Sequence, residues 1–84
     1  MSGVAYKKKV IKALLRMPRP LANKFRQAFQ QIAGGEFHGI DIKLLKGTTA
    51  CRLRIGGYRA ILEVRDEEVR VLVLDIGARG DVYK

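Results

Sequence analysis

Eighty-four residues, 48% of them hydrophobic, suffice for one packed core and leave no room for a second. Seventeen Lys+Arg against eight Asp+Glu give a net charge of +9, a positive field that attracts nucleic acid, an acidic protein or an anionic membrane surface. No apolar run approaches the roughly 20 residues of a membrane span, and the single cysteine, Cys51, rules out an internal disulfide.

The N-terminus carries its apolar residues, Val4 to Tyr6, before the lysines Lys7 to Lys9. That order is the reverse of a secretory signal peptide, so a cytoplasmic protein is expected. Eight basic residues and no acid precede Glu36. Gly3 to Tyr6 is a candidate short edge strand. Lys7 to Arg16 reads as a helix with Val10, Ile11, Leu14 and Leu15 on one stripe and cations around the rest. Met17-Pro18-Arg19-Pro20 breaks it. A second helix, from about Pro20 to Ala33, has Leu21, Phe25, Ala28, Phe29 and Ile32 on one buried face, and Gly34-Gly35 ends it. The two helices are expected to form an antiparallel hairpin.

Two sites in this half are read as structural. The Lys7–Lys9 run is expected to be a solvated face, and the Phe25/Phe29 pair to be core. His38 lies in a loop with no second His or Cys near it in sequence, so a metal site there is not expected.

From Ile40 the period changes to two. Ile40 to Leu45 is a strand with Lys43 and Lys46 near its end, and Gly47-Thr48-Thr49 is a turn. Arg52 to Ile55 and Tyr58 to Arg65 flank Gly56-Gly57, a two-residue hairpin signal. Asp66-Glu67 then turns into a last strand ending at Ile76. The expected fold is α+β, with the helical hairpin on one face of an antiparallel sheet of about four strands in a single domain spanning 1–84.

A two-residue turn at Gly56-Gly57 opposes Arg54 to Arg59 and Arg52 to Ile61, and opposed residues share a face. Leu53, Ile55, Tyr58, Ala60, Leu62 and Val64 then face the helices, while Arg52, Arg54, Arg59, Ile61, Glu63 and Arg65 face away. A second tight turn at Asp66-Glu67 would oppose Val64 to Val69 and Glu63 to Arg70. It would also put Leu72, Leu74 and Ile76 on the open face as an apolar strip for a partner or for the chain's own tail. Like charges opposed across strands destabilise a sheet, so Arg54 against Arg59 points to function. Arginine's planar fork suits phosphate. Cys51, in this basic strand, is expected to be a packed or idle thiol.

Leu45-Lys46-Gly47, then Arg52-Leu53-Arg54-Ile55-Gly56-Gly57-Tyr58-Arg59, then Val73-Leu74-Asp75-Ile76-Gly77-Ala78-Arg79-Gly80-Asp81-Val82-Tyr83 resemble the RelE/ParE toxin superfamily. The resemblance covers nearly the whole chain, through to the terminal Arg-x-x-x-Tyr. It implies the toxin of a type II toxin–antitoxin module, a metal- and cofactor-independent endoribonuclease cleaving mRNA on the ribosome. The 2′-hydroxyl would attack the adjacent phosphate. Carried over by position, Arg52 and Arg59 would clamp that phosphate, Arg79 would stabilise charge or donate a proton, and Tyr83 would be general base or stacking platform. Arg54, Lys43 and Lys46 would extend the phosphate-binding surface. Leu72, Leu74 and Ile76 would meet an acidic, partly disordered antitoxin. Ala50 and Ala78 depart from the pattern, standing where relatives carry basic side chains able to move protons. That departure keeps open a ParE-like inhibitor of DNA gyrase, or an inactive toxin retained as its antitoxin's partner.

Overall fold

The computed structural model describes residues 3–65 and 71–78. In chain order the elements are β1 (Val4–Tyr6), α1 (Lys8–Arg16), α2 (Arg19–Ala33), β2 (Asp41–Leu44), β3 (Ala50–Ile55), β4 (Tyr58–Val64) and β5 (Val71–Ala78). The sheet has five strands in the order β1-β5-β4-β3-β2. Both helices lie on one face of it, so the α+β layering expected from the sequence is present. The sheet is mixed rather than purely antiparallel, because β1 runs parallel to β5, with Val4 opposite Val71 and Tyr6 opposite Val73. Such a pair needs a long crossover, here every other element of the fold. No periodicity within three residues could announce it.

Two prolines organise the helical layer. Pro18 has no amide hydrogen and pushes the residue before it into extended backbone. Met17 accordingly has ψ 163° and caps α1 through its N–H to the Ala13 carbonyl. Pro20 sits in the first turn of α2, where a missing donor costs nothing. At the other end Gly35, with φ +87°, turns the chain through a left-handed conformation, and the Glu36 amide donates to the Gln31 carbonyl at 3.0 Å.

The expected stripe of α1 divides in two. Val10 and Leu14 are buried, whereas Ile11 and Leu15 are 45% and 74% exposed. Four residues at i, i+1, i+4 and i+5 span too wide an arc for one short helix to bury against β5 alone. On α2, Phe25, Ala28, Phe29 and Ile32 are buried as expected, whereas Leu21 is only packed at their margin and its neighbour Ala22 is buried instead. Phe25 stacks on Phe29 at 5.9 Å between ring centroids, and Tyr6 meets Phe29 edge-on at 5.8 Å. The helices touch each other sparingly, and α1 packs chiefly on β5. They behave less as a hairpin than as two helices docked separately on one sheet.

The β3–β4 ladder has the expected register throughout, from Ile55 opposite Tyr58 to Arg52 opposite Ile61. Gly56 has φ +59°, with no positive φ at Gly57, the pattern of a type II′ turn whose twist suits a two-residue hairpin. The β4–β5 ladder departs from expectation. Val64 opposes Val71 rather than Val69, and Glu63 opposes Leu72 rather than Arg70, so the turn after β4 is longer than two residues. Arg70 itself lies outside the described residues. Glu63 instead accepts a hydrogen bond from Arg65 Nη2 at 2.9 Å.

A β-bulge corrects a second expectation. Leu62 opposes Val73 and Ile61 opposes Asp75, so Leu74 is the extra residue on β5. From there the alternation flips. Ile76, expected on the open face with Leu72 and Leu74, faces the helices and is buried in the main core. The apolar strip is therefore shorter than the pattern implied.

Replacing Ile76 with Ala should cost about 2–5 kcal/mol, the range for large-to-small core substitutions. Urea unfolding measures it, and a loss under about 0.5 kcal/mol would return Ile76 to the surface.

Candidate functional site

The open face is a grid whose rows follow from the two ladders. One row runs Asp41, Arg54, Arg59, Gly77 across β2, β3, β4 and β5. The next runs Lys43, Arg52, Ile61, Asp75. The structure thus brings Arg52, Arg54 and Arg59 together, as the hairpin register requires, and adds Lys43 directly opposite Arg52. Two like-charged cross-strand pairs, Arg54/Arg59 and Lys43/Arg52, stand side by side on one face. Each works against folding. Lys46 is not drawn in, because it lies exposed in the turn beyond β2. That turn is fixed by Thr48, whose hydroxyl donates to the Leu45 carbonyl at 2.9 Å and accepts from the Ala50 amide at 3.1 Å.

Among the described residues, one acid lies within ion-pair distance of these cations. Asp41 Oδ1 lies 3.7 Å from Arg52 Nη2 and Asp41 Oδ2 lies 3.8 Å from Arg54 Nε. Both contacts are long, and Asp41 is half-exposed, so this carboxylate offsets the cluster weakly. Sequence reading overlooked Asp41. Its signal was the Gly47-Thr48-Thr49 turn, which sets the β2–β3 register once its length is known to be four residues, 46 to 49.

Two donors on this face have no acceptor among the described residues. Arg52 Nε and Arg59 Nε are buried and make no hydrogen bond. A buried donor in that state costs on the order of 1–3 kcal/mol, more when the group is charged. Beside Arg59 the sheet is floored by Gly77, so no β5 side chain covers it from that direction. A phosphate would supply acceptors to both guanidinium groups at once.

Below the arginines the face turns apolar. Ala50 and Ile61 are buried there and Leu45 and Leu74 pack against them. Leu72, opposite Glu63 and Ala5, is half-buried at the margin. Of the strip Leu72, Leu74 and Ile76, two members therefore remain on the face. Arg79 and Tyr83 lie outside the described residues.

Groups able to move protons are scarce among the described residues. The Cys51 thiol faces the helical side, and burial pushes its pKa up, away from the reactive thiolate. Tyr6 is also on the core side, its phenol pushed up by burial against a smaller opposing effect of Arg26. His38 is exposed in a loop, where its carbonyl accepts from Gln31 Nε2 at 2.9 Å. No helix among the described residues is long and apolar enough to cross a membrane.

No family model matches the sequence, and no curated protein does. Solved structures do match. The archaeal RelE–RelB complex from Pyrococcus horikoshii OT3 contains a chain 26% identical, with TM-score 0.78 over 95% of this chain and 97% of that one. The RelB–RelE antitoxin–toxin complex from Methanococcus jannaschii contains one 21% identical, with TM-score 0.76 over 94% of each chain. The toxin–antitoxin complex RelBE2 from Mycobacterium tuberculosis contains one 18% identical, with TM-score 0.67 over 92% of this chain and 96% of that one. The fold is that of RelE, and the chain is RelE-like.

Replacing Asp41 with Asn removes the weak counter-charge, so heparin or an oligoribonucleotide should bind more tightly. The salt slope of log K should steepen by up to about one. Titration across a salt series reads both, and an unchanged slope would mean that these arginines are not the anion contacts.

Proposed function

We propose that this RelE-like chain is the toxin of a toxin–antitoxin pair and acts as a metal-independent endoribonuclease on messenger RNA at the ribosome. The observation that carries the reading is the pair of buried, acceptorless Nε atoms of Arg52 and Arg59 on a sheet face that repels itself. A sequence selected for folding alone would not keep that arrangement, and a bound phosphodiester removes both costs together. The neighbours in toxin–antitoxin complexes support the toxin part of this reading.

In this mechanism Arg52 and Arg59 hold the scissile phosphate and stabilise its added charge in the transition state. Arg54 and Lys43 draw in the strand, and Lys46 extends the field beyond the sheet. A base takes the proton of the 2′-hydroxyl, whose oxygen attacks phosphorus. The 5′-oxygen leaves with a proton from an acid, and a 2′,3′-cyclic phosphate remains. By resemblance Tyr83 is the base and Arg79 the charge stabiliser or acid. Arg79 follows directly on Ala78, the last paired residue of β5, next to Gly77 opposite Arg59. A phenol with an ordinary pKa near 10 is a poor base at neutral pH, so neighbouring guanidinium groups must lower it.

The partner is an acidic antitoxin, whose charge answers the net +9 and whose apolar side chains meet Leu72 and Leu74. A second reading, inhibition of DNA gyrase by protein contact, is favoured by one observation. Ala50 is part of an apolar cluster where a proton-moving side chain would be expected from the resemblance.

Arg59→Ala and Tyr83→Phe should each abolish growth arrest on induction while leaving a folded protein. Toe-print mapping of transcripts should find cleavage with the wild type only. Intact transcripts together with SOS induction and cleaved DNA complexes would overturn the nuclease reading in favour of gyrase.

A further inference from the structure

Beside the arginine rows lies a shallow hollow of about 340 Å³, lined by Lys7, Lys9, Ala50, Ile61, Leu74 and Asp75. Its floor is the apolar cluster of the open face, and its rim carries two ammonium groups and one carboxylate. We propose that this hollow seats a nucleobase of the bound RNA strand and that Asp75 reads the edge of that base. The inference rests on the phosphate-binding reading of Arg52 and Arg59.

Position supports it first. Ile61 is directly opposite Arg52 and two residues from Arg59 along β4, roughly 7 Å at strand rise. A nucleotide whose phosphate is held by those arginines has its base within reach of Ile61 and Leu74. The β5 bulge makes the hollow, because it turns Leu74 and Asp75 together onto the face that Arg59 occupies.

Chemistry supports it next. A carboxylate repels phosphate, so Asp75 is badly placed for a backbone contact and well placed to accept a hydrogen bond from a base. Its Oδ1 is already engaged by the Ile76 amide at 2.9 Å, which satisfies the donor that the bulge leaves over. Among the described residues Oδ2 is held only by Lys9 Nζ at 3.5 Å, with Lys9 63% exposed. Such a surface pair is weak, and a base donor can displace it while the ammonium turns to a neighbouring ring nitrogen or carbonyl. Meanwhile the base lies over the buried Ile61 and covers the half-buried Leu74, burying apolar area of Leu74 that water now meets. Asp75 is therefore a specificity-determining residue, acting on which base is bound rather than on whether phosphate is.

The test uses short oligoribonucleotides with one variable position, each of the four bases or an abasic sugar, titrated by fluorescence anisotropy at low salt. At least one base should bind about tenfold tighter than the abasic strand. Asp75→Asn keeps an acceptor for the Ile76 amide, and it should bring the spread among the four bases close to one. Leu74→Ala, which only deepens the floor, should shrink the advantage of any base over the abasic strand. Arg59→Ala should weaken all five strands alike. An abasic strand that binds as tightly as every base, or an unchanged ranking in Asp75→Asn, would overturn the inference while leaving an effective Arg59→Ala intact. If no strand binds, the phosphate reading fails and the inference falls with it.

Discussion

The fold and the face depend together on one constraint, the pairing of β3 with β4. In that register Leu53, Ala60 and Leu62 turn toward Phe25, Phe29 and Ile32, while Arg52, Arg54 and Arg59 turn away. Because side chains alternate with period two, a slip of one residue would bury three guanidinium groups and expose the core. The cost of that error is far larger than the mutual repulsion of the arginines, which is why the repulsion is tolerated. The Gly56-Gly57 turn holds the register, and the apolar residues of α2 reward it.

Around this hairpin the rest of the molecule is an arrangement for covering one face and leaving the other open. Both helices pack on the apolar side, and β1 closes the sheet along β5 by parallel pairing. Neither helix covers the arginine face. Charge is partitioned with equal clarity: no buried polar or charged side chain occurs among the described residues, so all the cations are at or near the surface. A domain of this size is only marginally stable. It has little free energy to spare for two opposed like-charged pairs and two orphaned donors unless a ligand or partner offsets them.

The bulge in β5 is the second organising feature. It divides the last strand into a half that obeys the simple alternation and a half displaced from it. As a result Ile76 enters the core, Asp75 reaches the open face, and Leu74 joins Ile61 and Ala50 there. The open face thereby acquires two chemically different neighbours, a cationic field suited to phosphate and an apolar hollow rimmed by Lys9 and Asp75. That division is what a nucleotide presents, with an anionic backbone on one side and a flat, largely apolar base on the other.

Much of this was legible in the residues. Period 3.6 up to Ala33 and period two after Ile40 specified the layers. The Gly56-Gly57 signal specified the hairpin, and with it the company of Arg52, Arg54 and Arg59, since a two-residue turn admits one register. The carried-over roles of Arg79 and Tyr83 came from resemblance, on residues the structure does not describe. What the sequence could not specify were features set by contacts distant along the chain. The parallel docking of β1, the outward turn of Ile11 and Leu15, the longer turn after Val64 and the bulge at Leu74 are all of this kind. Asp41 and Lys43 joined the arginines only when β2 found its partner. Local pattern records what each residue prefers, whereas a bulge or a parallel edge is decided by whichever packing of the whole sheet against α1 and α2 buries the most apolar surface.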